Sequence, residues 1–384
     1  MPSSNQSTSI RTLAVLHPVF ALTGVLHAVG GAILPSLAIQ FHLTDSTSGL
    51  LFLLYFAGTS IGALLCHGSY SRQMTLGFGA MAFTCIAVVF STRPLLAPVF
   101  FLLGVSVGVP MSAATLFTGR NFADRCAPLL TFLNFSWSIG ALAAPLIAAR
   151  ILMHHTYRAA YIIFAVASVI ASIVCGLTLR DGPEPERLSR DSDTPTAALY
   201  LVGIFAFTAF LQVGIENTVA AWLPTYALRM AASGIVLAAV SSSFYWAGFL
   251  SSRGLSSLLL LRAAPMSVFR FAVALGFASA LLLLFAPSVA VRNVAMFLLG
   301  AALAPTYPLV LATFFARARQ TSDSRWILFT AGFGGSVVPW IAGFISTHTG
   351  SLRTGMLIIP AALALMALIL PALRGGTSPA SPKP

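Results

Sequence analysis

Charged side chains are scarce in this sequence. Lysine, arginine, aspartate and glutamate together make up 8% of the 384 residues, whereas hydrophobic residues make up 58%. The mean hydropathy of +0.91 is higher than a soluble domain of this length sustains, because too few polar side chains remain to cover its surface. The composition therefore predicts an all-α membrane protein that lies in a lipid bilayer.

Motifs for catalysis and metal binding are absent as well. The four cysteines show no paired or metal-ligand spacing, and neither a nucleotide-binding loop nor a nucleophile–base arrangement occurs. We therefore expect neither an enzyme nor an ATP-driven pump, and no catalytic residue, metal site or cofactor. The net charge of +12 would favour a nucleic acid partner in a soluble protein. Here the cations lie in the loops between apolar segments, as in membrane proteins, so no nucleic acid partner is expected.

Apolar segments long enough to cross a bilayer recur along the whole chain. A helix needs roughly 20 apolar residues to cross the hydrocarbon core. Breaks at glycine, proline and charge clusters predict twelve spans, at residues 12–41, 46–66, 74–92, 95–119, 127–153, 157–179, 197–228, 233–258, 266–286, 291–316, 325–347 and 354–373. Residues 181–196, rich in proline and charge, predict a cytoplasmic linker. The linker would join two six-helix bundles, residues 1–180 and 197–384, the second with a short cytoplasmic tail.

Arginine and lysine are unevenly distributed between the two sides of the predicted bundles. The side that carries both termini holds fourteen of the 21 cations, and the other side holds six. Because positively charged loops stay in the cytoplasm, both termini are expected there. We expect a monomer in the inner (plasma) membrane.

The two predicted bundles repeat each other in sequence. Matching segments are separated by 189 to 196 residues. The pairs are Pro35 with Pro224, Tyr55–Gly58 with Tyr245–Gly248, Phe101–Gly104 with Phe297–Gly300, and Gly140–Pro145 with Gly334–Pro339. Two parallel six-helix repeats, pseudo-symmetric about the membrane normal, are typical of the major facilitator fold, which binds its solute between the bundles at mid-membrane.

Several segments resemble the fucose:proton symporter family, which includes sugar permeases and sodium-dependent glucose transporters. They are FLQVGIENTVAAWLPTY in span 7, SSSFYWAGFLSSRGLSSLL in span 8, APTYPLVLATFFAR in span 10 and FTAGFGGSVVPWIAG in span 11. The resemblance implies a secondary active transporter that moves a small polar solute, a sugar, by alternating access. It also implies a coupling ion, H+ or Na+.

Two features depart from that family. The acid that the family carries in its first span is Gly31 here, and span 4 contains no acid. The loop after span 2 has Cys66 and His67 where the superfamily has Asp-Arg, so the charge latch of that loop is expected to be weak or absent.

Glu216 is the one acid, of nine, that falls inside a predicted span. Ionisable groups are costly in a bilayer and mark solute or ion paths, so we expect Glu216 to be the coupling residue. The alternative is a buried carboxylate that only fixes helix packing. His27, its equivalent in the repeat, and Arg253 in span 8 are further coupling candidates. For His27 the alternative is a structural hydrogen bond. For Arg253 the alternative is snorkelling of its side chain to the cytoplasmic interface.

Recognition of a sugar needs hydrogen-bonding side chains and aromatic faces in an apolar cavity. The candidates are Asn134, Trp137, Gln212, Asn217, Tyr245, Trp246 and Tyr307. Trp222 and Trp340 lie nearer span ends and are expected to be structural or gate residues. Two other functions remain open. One is an exporter of lipophilic compounds with a cavity of Phe and Met, and the other is a membrane receptor that transports nothing.

Overall fold

A computed structural model describes residues 4–122, 126–181, 199–231, 234–259, 262–318, 324–371 and 373. These residues form helices and connections, with no strand among them. In the first half the helices are Ser4–Phe41, Asp45–Leu64, Tyr70–Val89, Leu96–Asn121, Cys126–Leu152 and Tyr157–Thr178, with a short 3₁₀ turn at Arg93–Leu95. In the second half they are Leu199–Ala231, Ile235–Leu259, Pro265–Leu284, Val289–Leu303, Thr306–Ala318, Ser324–Thr349, Leu352–Met356 and Ile358–Ile369.

Twelve stretches of the described chain are long and apolar enough to cross a membrane, which confirms the predicted number of spans. Span 10 joins Val289–Leu303 to Thr306–Ala318, and span 12 joins Leu352–Met356 to Ile358–Ile369. The chain is a multi-pass membrane protein. We call the side on which span 1 begins the linker face, and the side of the turn at 42–44 the opposite face.

Spans 10 and 12 are interrupted, although the sequence indicated continuous helices there. In span 10 the break falls at Pro305, whose ring removes a backbone donor. The carbonyl of Leu303 instead accepts the Thr306 hydroxyl at 2.5 Å. It also accepts the Gln212 side chain of span 7 at 3.1 Å. The break thus turns a backbone carbonyl toward a candidate site residue.

Helix pairing follows the predicted two-fold repeat. In the first bundle span 1 packs on span 5, span 2 on span 4, and span 3 on spans 4 and 6. In the second bundle span 7 packs on span 11, span 8 on span 10, and span 9 on spans 10 and 12. Each pair recurs six spans later. The bundles meet through spans 2 and 11, 5 and 8, and 1 and 7.

Glycines explain why the repeat is visible in the sequence. A Cβ on Gly104 would overlap the carbonyl oxygen of Tyr55, and a Cβ on Gly58 that of Phe101. The equivalent Gly300 and Gly248 stand in the same relation to Tyr245 and Phe297. Spans 2 and 4, and likewise 8 and 10, approach so closely at these crossings that only glycine fits.

Other parts of the sequence prediction have mixed outcomes. Cys66, Cys85 and Cys175 are free and buried. Trp222 is fully buried and donates to the Pro339 carbonyl at 2.8 Å, and its assignment as a structural or gate residue stays a prediction. Residues 182–196 of the predicted linker lie outside the described residues. The bundle boundaries at 180 and 197 therefore stay predictions.

Candidate functional site

Glu216 lies in the middle of span 7 and is half-buried. Among the described residues none donates a hydrogen bond to its carboxylate, and none forms an ion pair with it. It nevertheless interacts electrostatically with Arg253 and Tyr245 of span 8 and with Tyr307 of span 10. The carboxylate thus lies among polar groups of the described chain without a hydrogen bond or ion pair to any of them.

Arg253 reaches across the interface between the bundles. One of its Nη atoms donates to the Ser138 hydroxyl of span 5 at 3.0 Å and to the Asn134 carbonyl at 3.3 Å. The guanidinium also lies 4.6 Å from the ring centroid of Phe249 and 5.7 Å from that of Trp137. These contacts direct the guanidinium toward span 5, and the coupling role of Arg253 stays a prediction.

His27 lies in span 1 within a ring of aromatic side chains. Its ring centroid is 5.1 Å from Trp137, 5.3 Å from Phe56 and 6.4 Å from Tyr55. It also interacts with the side chain of Asn217 in span 7. The repeat therefore places His27 beside the neighbour of Glu216, across the junction of the two bundles. Asn217 in turn donates to the Gly335 carbonyl at 3.1 Å.

Two tryptophans, one from each bundle, contact each other near His27. The ring centroids of Trp137 and Trp246 are 5.9 Å apart in an edge-to-face arrangement, and Trp246 lies 5.0 Å from Tyr245. Both tryptophans are buried. Span 5 and span 8 thereby bring an aromatic surface to the side of the site that Glu216 and Arg253 occupy.

Several buried polar atoms of the candidate residues have no hydrogen-bond partner among the described residues. They are His27 Nδ1, Trp137 Nε1, Gln212 Oε1, Tyr245 OH and Arg253 Nε. An unpaired buried polar atom costs roughly 1–3 kcal/mol. Such a set is typical of a site whose ligand supplies the missing partners.

Asn134 and Tyr307 occupy the edge of this group. The Asn134 side chain is exposed and donates to the Leu130 carbonyl of its own helix at 2.9 Å. Tyr307 is half-buried just beyond the break in span 10. Contact of these two side chains with a solute stays a prediction. We call His27, Trp137, Gln212, Glu216, Asn217, Tyr245, Trp246, Arg253 and Tyr307 the central cluster.

Sequence reasoning missed the main polar connection between the bundles. Asp45, at the start of span 2, accepts both Nη atoms of Arg229, at the end of span 7, at 2.5 and 2.6 Å. Asp45 also accepts the Ser346 hydroxyl of span 11 at 2.5 Å, and the Ser46 amide donates to Thr347 at 2.8 Å. No local signal reveals this set, which we call the opposite-face latch, because 184 residues separate the paired charges.

A polar contact joins spans 3 and 6 beside the loop in which the superfamily's charge latch is expected to be weak or absent. Asp181 accepts the backbone amides of Tyr70 and Ser71 at 3.0 and 3.1 Å, and the hydroxyls of Ser69 and Ser71 at 2.5 and 2.8 Å. Burial alone would raise the pKa of Asp181, but these hydrogen bonds outweigh it and the pKa is lowered. The carboxylate caps the start of span 3 and fixes it to the end of span 6.

Known proteins share this architecture. The sequence profile of the Major Facilitator Superfamily matches residues 17–325. The glucose/mannose transporter GlcP of Bacillus subtilis is 22% identical over 346 residues, which are 85% of each chain. A bacterial homologue of the human lysosomal transporter Spinster superposes with a TM-score of 0.77 at 12% identity, over 94% of this chain and 96% of that one. The transporter FucP superposes with a TM-score of 0.60 at 18% identity, over 96% and 100%. The chain belongs to the Major Facilitator Superfamily.

Proposed function

We propose that this protein is a secondary active transporter that moves a small polyhydroxylated solute, a sugar, by alternating access. The central cluster is its binding site. The observation that carries this proposal is the set of buried polar atoms without partners where the two bundles meet. The similarity to a glucose/mannose transporter supports the same solute class.

A sugar supplies what this set of atoms lacks. Its hydroxyl groups both donate and accept, and the unpaired set contains donors such as Trp137 Nε1 and an acceptor, Gln212 Oε1. The aromatic rings of Trp137 and Trp246 offer apolar faces to the C–H side of a sugar ring. A lipophilic compound would leave the polar atoms unpaired, so the geometry favours a sugar over the exporter alternative.

For coupling, Glu216 is the group that takes up and releases a cation. Arg253 opposes either cation, but a proton needs only the carboxylate itself, whereas a metal ion needs several oxygen ligands, so we take the cation to be a proton. In this state no described residue donates a hydrogen bond to Glu216 that would hold it ionised. Arg253 acts on the Glu216 carboxylate through its charge. His27 acts on it indirectly, through Asn217, the residue next to Glu216 in the chain.

The protein would work as a monomer in the inner membrane, with both termini and the linker face in the cytoplasm. In the present state the opposite-face latch holds spans 2, 7 and 11 together. Solute would therefore reach the central cluster from the linker face. Rocking of one bundle against the other would break the latch and open the opposite face.

The test uses purified full-length protein in liposomes and a panel of radiolabelled sugars. We expect accumulation of at least one sugar under an inward proton gradient and none under a sodium gradient alone. Glu216→Gln should abolish accumulation and preserve counterflow exchange, because a neutral side chain still allows the loaded carrier to alternate. Glu216→Asp, which keeps the acid, is the control and should retain part of the accumulation.

Three results would contradict this proposal. Absence of any sugar flux would leave the receptor interpretation, and flux of lipophilic compounds alone would favour the exporter. Accumulation at wild-type rates in Glu216→Gln would remove Glu216 from coupling. The receptor interpretation is separated further by sugar binding, measured as thermal stabilisation, without flux.

A further inference from the structure

A second polar pocket lies at the opposite face, away from the central cluster. Its volume is about 280 Å³. The end of span 7 and the turn between spans 11 and 12 form its walls, through Tyr226, Arg229, Met230, Gly350, Ser351, Leu352 and Arg353. We call it the arginine pocket.

The arginine pocket contains an excess of positive charge. Arg353 contacts the Met230 sulfur at 3.9 Å, and its guanidinium lies 5.9 Å from the ring centroid of Phe285. No carboxylate of the described chain pairs with Arg353. Arg229 is paired with Asp45, yet 45% of its side chain remains exposed. Among the acids that the structure describes, Asp45 is the one at this face, so no described carboxylate neutralises the second arginine.

We infer that the arginine pocket binds an oxyanion, a carboxylate or phosphate group held between Arg353 and Arg229. A guanidinium presents a planar set of donors that matches two oxygens of such a group, and the resulting hydrogen bonds are charge-assisted. The pocket is large enough for the group and part of the molecule that carries it. Both a free anion and the headgroup of an anionic lipid have this chemistry.

Binding at this pocket is linked to the opposite-face latch. Arg229 points both Nη atoms at Asp45, so an oxyanion in the pocket competes with that carboxylate for the same guanidinium. An anion that weakens the Asp45–Arg229 pair must bind more tightly once that pair is broken, so loss of the Asp45 charge should strengthen anion binding. The anion therefore favours opening of the opposite face.

The test measures binding of inorganic phosphate to the full-length protein in phosphatidylcholine nanodiscs by calorimetry. Wild type should bind phosphate saturably, and Arg353→Gln should bind it about tenfold more weakly. Arg158→Gln is the matched control, because Arg158 also lies at the opposite face and 5.9 Å from an aromatic centroid, that of Tyr157, but outside the pocket. Asp45→Asn should bind phosphate more tightly than wild type, a gain that loss of folding cannot produce.

Nanodiscs with phosphatidylglycerol identify the source of the anion. If the lipid headgroup fills the pocket, phosphate binding to wild type is suppressed there, and wild type retains more phosphatidylglycerol on purification than Arg353→Gln does. If a free anion is the ligand, phosphate binds equally in both lipids. Absence of phosphate binding in phosphatidylcholine overturns the inference. So does equal weakening in Arg353→Gln and Arg158→Gln, or unchanged affinity in Asp45→Asn.

Discussion

Gly31 of span 1 lies directly against the backbone of Ala220 in span 7. A Cβ at this position would overlap the Ala220 carbonyl oxygen and come within 3.1 Å of the Ala221 carbonyl oxygen. The two bundles therefore touch through a residue without a side chain. The fucose:proton symporter family that these spans resemble carries an acid at this position, and this state of the protein has no room for one.

We expect Gly31→Ala to disfavour the state in which the bundles meet at the opposite face. Overpacking of a tight contact typically costs about 1–3 kcal/mol. Gly203→Ala is the control, since a Cβ there meets nothing within 4 Å. Thermal melting should show a lower Tm for Gly31→Ala and an equal or higher Tm for Gly203→Ala. An equal change in Tm for the two variants would mean that close packing at Gly31 does not stabilise this state.

The opposite-face latch should control access to the interface between spans 2 and 11. Ser48 is buried one turn from Asp45, so a cysteine there, in a background without the native cysteines, reports opening. Loss of a paired charge of this kind costs about 1 kcal/mol, so Asp45→Asn should speed labelling by an impermeant thiol reagent about fivefold. The exchange Asp45→Arg with Arg229→Asp should restore slow labelling. Equal rates in all three proteins would exclude the latch as a gate.

Trp137 and Trp222 should respond in opposite ways to replacement by phenylalanine. Trp137 Nε1 is buried without a partner, whereas Trp222 Nε1 donates to the Pro339 carbonyl at 2.8 Å. Both changes remove a similar buried volume, but Trp137→Phe breaks no hydrogen bond within the protein, so its Tm should fall less. It should lose solute affinity about three- to tenfold, the value of one hydrogen bond. Trp222→Phe should show the larger fall in Tm and keep its affinity for the solute. Melting curves with and without solute measure both, and an unchanged affinity in Trp137→Phe would remove that donor from the site.

Asp181 should make stability depend on pH. Its hydrogen bonds lower the pKa of the carboxyl group in the folded state, so the ionised form stabilises the fold. That contribution is complete above the unfolded pKa of about 3.9 and disappears as the pH falls through the lowered folded value. Asp181→Asn should therefore be less stable than wild type at pH 7, and the difference should shrink below pH 4. A difference in Tm that is independent of pH would contradict this account.

The spans and their repeat follow from local sequence. A bilayer offers no partners to backbone groups, so each crossing segment must satisfy its own hydrogen bonds as a helix, and length and hydropathy reveal it. The glycine pairs at Gly58 and Gly104, and at Gly248 and Gly300, occur because close crossings recur in both bundles. Glu216 stood out for a comparable reason, since an ionisable group inside a span is rare. The sequence alone therefore determined the fold class, the two bundles and the coupling candidate.

Contacts between distant spans were decided only by the tertiary structure. Rotation of each helix about its axis and its crossing angle depend on packing with neighbours, and neither is written in a local pattern. This is why the pairing of Asp45 with Arg229, the reach of Arg253 to Ser138 and the break of span 10 toward Gln212 became visible only in the fold. In each case the sequence supplied the chemical groups, and packing between helices decided which of them come into contact.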